Sequence, residues 1–126
     1  MTTKLQVYKC EKCGNIIEVL HEGPGGLVCC GEPMVLLEAK AEDAGTEKHL
    51  PVVDVAGSEV KVKVGDVPHP MEDEHFIEWI EVVTKTGTCK RFLAPHTDPA
   101  ADFMAVGDIV EVRSHCNVHG LWSKRM

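Results

Sequence analysis

Residues 70–83 read PMEDEHFIEWIEVV, and this segment has two readings. Pro70 followed by Glu72, Asp73 and Glu74 is how a helix begins, with proline and acids in the first turn. From Phe76 onward, however, Ile, Val and Trp dominate, and such residues favour a pleated strand. A strand after a short turn also agrees with the surroundings. EVKVKV (59–64), CKRFL (89–93) and DIVEVRS (108–114) alternate apolar with polar residues or carry β-branched runs. Gly, Pro and Asp punctuate these runs at intervals of about 8–12 residues, which predicts an antiparallel sandwich.

The chain before this region is different. Its first 37 residues hold Cys10, Cys13, Cys29 and Cys30 among the short apolar pieces LQVY, NIIEVL, GLVC and MVLLE. A unit below about 40 residues rarely builds a sufficient core and needs a metal or disulfide staple. Residues 38–46, EAKAEDAGT, are polar, lack strand character and read as a linker. The expected organisation is therefore a stapled domain over 1–37, a linker over 38–46 and a β-domain over 47–126.

The 126 residues are 26% charged and 44% hydrophobic, a globular composition. No apolar run approaches the roughly 20 residues of a membrane helix. The N-terminal MTTKLQVYKCEKC lacks the apolar stretch of a secretory signal, so the expected compartment is the cytoplasm. Thirteen basic and twenty acidic residues give a net charge of −7. That argues against a general nucleic-acid binder and repels small anions at long range. Six cysteines and seven histidines in a chain without a secretory signal point to metal or redox chemistry.

CEKCG (10–14) is a knuckle whose two thiolates face one point, and Gly14 offers the positive φ such a turn often needs. Its partner is the vicinal pair in CCG (29–31). Adjacent side chains on a strand point to opposite faces, so the backbone must kink for both sulfurs to reach one ion; Gly31 can help. Four thiolates suit zinc, as a structural ion, or iron, as a one-electron carrier. Disulfides are the alternative, but a vicinal bridge is strained.

Near the C-terminus, HCNVHGLW (115–122) sets Cys116 three positions before His119. Upstream, TEKHLP supplies His49, VPHPM supplies His69 and EDEHF supplies His75. Prolines beside His49 and His69 restrict the backbone there. Loops stiffened this way at one end of a sandwich could aim four imidazoles and one thiolate at a common point. Taken singly, each histidine is more simply an ordinary surface residue. Five donors also fit structural zinc poorly, because such sites are nearly always four-coordinate. His21, His96 and His115 look like bystanders, His115 pointing to the opposite face from Cys116 in an extended chain. Cys89 reads as a buried core thiol.

Together these motifs resemble the desulfoferrodoxin family, the two-iron class of superoxide reductases. CEKCG and CCGEPM match its desulforedoxin-like domain. EKH-x-P, the H-P-M segment ending at a third histidine, and C-N-x-H-G match its catalytic module. The resemblance covers essentially the whole chain and implies a mainly β protein: a small metal-stapled domain, then an immunoglobulin-like antiparallel β-sandwich. It implies two iron ions, one held by Cys10, Cys13, Cys29 and Cys30, the other by His49, His69, His75, Cys116 and His119. It also implies a homodimer, superoxide as substrate and a small electron-donor protein such as a rubredoxin. The expected reaction is one-electron reduction of superoxide to hydrogen peroxide at an open position opposite Cys116, with the thiolate donating electron density to iron. Lys48 is expected to attract the anion and assist protonation. Glu47 is expected to occupy the open position of the oxidised ion. In an arbitrary sequence Glu47 and Lys48 would be a solvated charge pair. Two other readings of the residues are a small electron-relay protein and a zinc-stabilised binding module.

Overall fold

A computed structural model describes residues 1–42, 48–104 and 107–126. The described residues contain strands and turns and no helix. They fall into two compact units, Met1–Glu38 and Ala39–Met126.

In the first unit, β1 (Val7–Lys9) lies between β2 (Ile16–Glu18) and β5 (Val35–Leu37), antiparallel to both. A separate hairpin joins β3 (Val28–Cys29) to β4 (Glu32–Pro33). Only Val7, Cys10 and Val19 are buried hydrophobics here. Three such side chains supply far too little apolar burial to offset the chain entropy of the unit, so the cysteine staple is a physical requirement.

The second unit is a sandwich of two antiparallel sheets. β6 (Pro51–Ala56), β7 (Glu59–Val64) and β10 (Ala100–Met104) form one, in the order β10-β7-β6. β8 (Ile77–Thr84), β9 (Thr88–Phe92), β11 (Ile109–Cys116) and β12 (Gly120–Arg125) form the other, in the order β12-β11-β8-β9. This is the immunoglobulin-like arrangement. The alternation in EVKVKV sends Val60, Val62 and Val64 inward, where they meet Ile80, Val82 and Val112 of the facing sheet.

Residues 70–83 resolve into a turn followed by β8. Pairing with β11 on one side and β9 on the other makes β8 a central strand, and Ile80 and Val82 bury its inner face. Its outer face is buried too, through charge. Glu81, with 0% of its surface exposed, takes a 2.8 Å hydrogen bond from Arg113 Nε and a second from Arg113 Nη2. Lys90 Nζ lies 3.5 Å from its other oxygen. Arg113 on β11 and Lys90 on β9 are the cross-strand neighbours of Glu81, so the register itself builds the network.

Of the segment read as a linker, residues 39–42 belong to the second unit. Lys40 bridges in parallel to Trp122, its N–H donating to Leu121 O and its carbonyl accepting from Ser123 N, both at 2.9 Å. Residues 43–47, and Glu47 with them, lie outside the described residues.

Candidate metal centres

The four cysteines of the first unit come together, their sulfurs all within 4.8 Å of one another. The knuckle closes through Gly14 N–H donating to Cys10 O at 2.9 Å, with Gly14 at φ +84°. The Cys13 backbone N–H turns toward Cys10 Sγ at 3.5 Å. At the vicinal pair, Cys30 itself takes the left-handed conformation at φ +53° and Gly31 follows at +76°. The kink therefore starts one residue earlier than the glycine, and it brings Cys30 Sγ to 4.0 Å from Cys29 Sγ. Cys13 Sγ lies 3.5 Å from Cys29 Sγ. No two of the six cysteines form a disulfide.

Crowding of this kind splits the thiols. The Cys13 N–H, more than any other group, lowers Cys10 from its ordinary 9.0 to about 6. Cys30 is pushed up to about 12, first by hydrogen bonding with the Cys13 thiol and then with Cys10. One proton leaves readily and another is held hard, which is how a thiol cluster behaves without a cation. A bound metal ion reverses that logic and deprotonates the thiols outright.

The second unit assembles His49, His69, His75, Cys116 and His119, again with one ligand atom each within 4.8 Å of the others. The four imidazoles form a closed circuit. Neighbouring ring centroids lie 4.6 Å apart for His49–His69, 4.9 Å for His69–His75, 5.1 Å for His75–His119 and 4.9 Å for His119–His49. The rings are inclined to one another by 60–87°. Four rings in a circuit at steep angles are aimed at a shared centre rather than stacked as a core. The nitrogens differ. His49 Nε2 meets His119 Nδ1 at 3.2 Å. His69 Nδ1–H donates to Pro70 O at 2.8 Å, which fixes its tautomer and leaves Nε2 as the lone-pair nitrogen. Cys116 Sγ lies 3.8 Å from His119 Nδ1 and receives the His119 backbone N–H at 3.4 Å.

Each donor is delivered by a particular piece of the fold. Cys116 ends β11, fully buried, and the Cys116–Gly120 pair closes the hairpin into β12 that carries His119. His49 precedes β6. Ser114 Oγ–H donates to its carbonyl at 3.0 Å, and Trp122 stacks on its ring at 4.5 Å and 9°. His69 N–H donates to Val64 O at 2.9 Å, tying its loop to the end of β7. Lys40 Nζ donates to His119 O at 2.8 Å and lies 5.0 Å from the centroid of Trp122. Lys48 is half-buried beside His49.

The remaining sequence candidates stand apart. His21 and His96 are exposed, His96 lying 3.2 Å from Asp73. His115 is buried on the face away from the pentad, stacked on Trp79 at 4.4 Å with Nδ1 3.1 Å from Glu78. Cys89 is half-buried against the sandwich core. Sequence reasoning passed over Trp122 and Lys40, although Trp122 stands in the quoted HCNVHGLW. Hairpin register was the available signal: with Cys116 opposite Gly120, Trp122 falls opposite Ser114 and on the inner face.

Both donor sets fit transition-metal ions. Four clustered thiols match a tetrahedral zinc or iron–sulfur site; four imidazoles with one thiolate suit a metal that accepts more than four ligands.

Residues 41–125 match the family Desulfoferrodoxin, and residues 2–37 match the family Desulfoferrodoxin, N-terminal domain. A desulfoferrodoxin homolog of Archaeoglobus fulgidus is 53% identical over 122 residues, covering 97% of this chain and 98% of its own. Desulforedoxin of Megalodesulfovibrio gigas is 60% identical over 35 residues, 28% of this chain and 95% of its own. The crystal structure of the superoxide reductase from Treponema pallidum superposes with a TM-score of 0.82 at 30% identity, covering 97% of this chain and 98% of that one. Likeness across both units, and over nearly the full length of these relatives, places the chain in the desulfoferrodoxin family.

Proposed function

We propose that the chain is a superoxide reductase: superoxide, one electron and two protons give hydrogen peroxide at the His49–His69–His75–Cys116–His119 centre. The observation that carries this reading is the closed circuit of four imidazoles with a single buried cysteine sulfur. A six-coordinate ion held by these five residues would keep one further position for a small ligand. Ferrous iron held there would supply the electron and a Lewis-acidic position for the anion. The remaining work falls to the chain. Cys116 is an electron-rich donor kept dry by the sandwich core. The tautomer of His69 is held by Pro70, so its basic nitrogen stays available to the ion. Lys48, beside His49, offers positive charge to an anion approaching a chain of net charge −7 and is a source of protons for the product. Glu47 is the candidate carboxylate for the open position of the oxidised ion.

Cys10, Cys13, Cys29 and Cys30 would hold a second iron ion as an accessory electron carrier. Electrons would arrive from a small donor protein such as a rubredoxin, in a cytoplasmic homodimer. The described residues contain no helix long and apolar enough to cross a membrane.

The test is rapid mixing of reduced, iron-loaded protein with superoxide, following iron oxidation and peroxide together. One peroxide per ferrous centre oxidised, with no oxygen evolved, is the expected result. A protein isolated with zinc alone from iron-replete cells, or one that oxidises without peroxide, would overturn the proposal.

A further inference from the structure

The C-N-x-H-G motif contains a residue that is not a donor. Asn117 lies between Cys116 and the turn that carries His119. The β8–β11 ladder ends at Cys116 opposite Ile77. Beyond that point Asn117 continues it. Its backbone N–H donates to Phe76 O at 3.2 Å. Its side-chain Oδ1 accepts from Phe76 N–H at 2.9 Å, and its Nδ2 donates to Glu74 O at 2.9 Å. The side-chain amide thus stands in for a peptide unit, offering an acceptor and a donor where the strand itself has turned away. His75 sits between the two residues so held. Its own N–H and carbonyl are closed onto Glu72 at 3.2 and 2.9 Å. Glu74 and Phe76 on either side are both tied to Asn117, so the loop cannot rotate His75 without breaking these bonds.

We infer that Asn117 is the positioning residue that joins the two halves of the five-donor set, fixing His75 relative to Cys116 and His119. The halves come from loops more than forty residues apart, and a site that needs donors within tenths of an ångström cannot leave their spacing to loop dynamics. Asn117 acts through the backbone on either side of His75. The inference rests on reading the pentad as a metal centre. Side chains that orient metal ligands from behind typically contribute about 10–100-fold in affinity.

The test uses the full chain and cobalt(II), whose visible bands distinguish a four-thiolate site from one with a single thiolate. The parent should take up two equivalents. Asn117→Ala should bind the four-cysteine equivalent as the parent does, bind the pentad equivalent at least about 10-fold more weakly, and shift its thiolate charge-transfer band. Asn117→Asp keeps the acceptor for Phe76 N–H and loses the donor to Glu74 O. Its added negative charge by itself would tighten a cation, so weakened binding despite that charge marks the lost bond. Parent-like affinity and band position at the pentad in both variants would overturn the inference, as would equal weakening at both sites. A parent chain that takes cobalt only at its cysteines would instead overturn the metal reading of the pentad.

Discussion

Gly65, in the turn after β7, packs against the segment that carries Lys48 and His49. A Cβ built on Gly65 would lie 2.9 Å from Lys48 Cβ and 3.2 Å from both Lys48 C and Leu50 O. Non-bonded carbons rest at about 3.5–4.0 Å, so Gly65→Ala must separate the two segments by roughly 0.6–1.1 Å. Lys48 cannot swing clear, because the crowded atoms are its backbone and the first atom of its side chain. The shift falls on residues 48–50 and moves the His49 ring relative to its three neighbours. Overpacking a buried site costs about 1–3 kcal/mol. Displacing a catalytic group by about 1 Å can lower a rate by about 100-fold. Gly87→Ala is the control, since a Cβ there meets nothing within 4 Å. Urea unfolding of both variants and stopped-flow mixing with superoxide give the two readouts. Gly65→Ala should lose stability by the stated amount and react at least about 10-fold more slowly, with Gly87→Ala within about 0.5 kcal/mol of the parent. A Gly65→Ala protein with parental stability and rate would show that the 48–50 segment is not held by this contact.

Lys48→Ala should slow the reaction with superoxide by about 10-fold at low salt. The deficit should shrink as salt rises and the screening length falls toward about 8 Å, a dependence that a purely structural defect would lack. Cys116→Ser should abolish the visible thiolate band of the pentad and its reaction with superoxide while leaving the four-cysteine spectrum unchanged; Cys89→Ser should preserve both, as absorption spectra with metal analysis would show. Arg113→Met should cost about 3–5 kcal/mol in urea unfolding, because Glu81 would stay buried without its guanidinium partner.

The two clusters of cysteine and histidine that the structure brings together were legible in the sequence because their residue types and spacing are those a metal site would require. Strand β7 was legible because EVKVKV alternates along its whole length. AADFM and GLWSKR, which became β10 and β12, carry small residues or charges and owe their strand state to the partners they pair with. The supports of the pentad were harder to read for a related reason. Lys40 reaches His119 across 79 positions, and Asn117 reaches Glu74 across 43. A single sequence does not state which distant carbonyl a lysine or an amide will find. Gly65 left no mark at all, because a close approach to backbone is a property of the folded chain. The charge on the outer face of β8 was visible as IEWIEVV, yet that Glu81 would be sealed beneath Arg113 depended on register.

Trp122 lies flat against His49, and Trp79 lies flat against His115 on the other face of the sheet. These are the two tryptophans of the chain. One indole is in van der Waals contact with a donor of the pentad; the other touches an imidazole outside it. The protein's ultraviolet emission is therefore partitioned between a reporter of the centre and an internal reference. An open-shell ion entering the pentad should quench Trp122 by electron or energy transfer through the stacked ring and leave most of the Trp79 emission in place. Time-resolved fluorescence would then resolve two lifetimes, of which one follows occupancy of the centre, so loading, loss and exchange of the ion can be timed in solution without any attached dye.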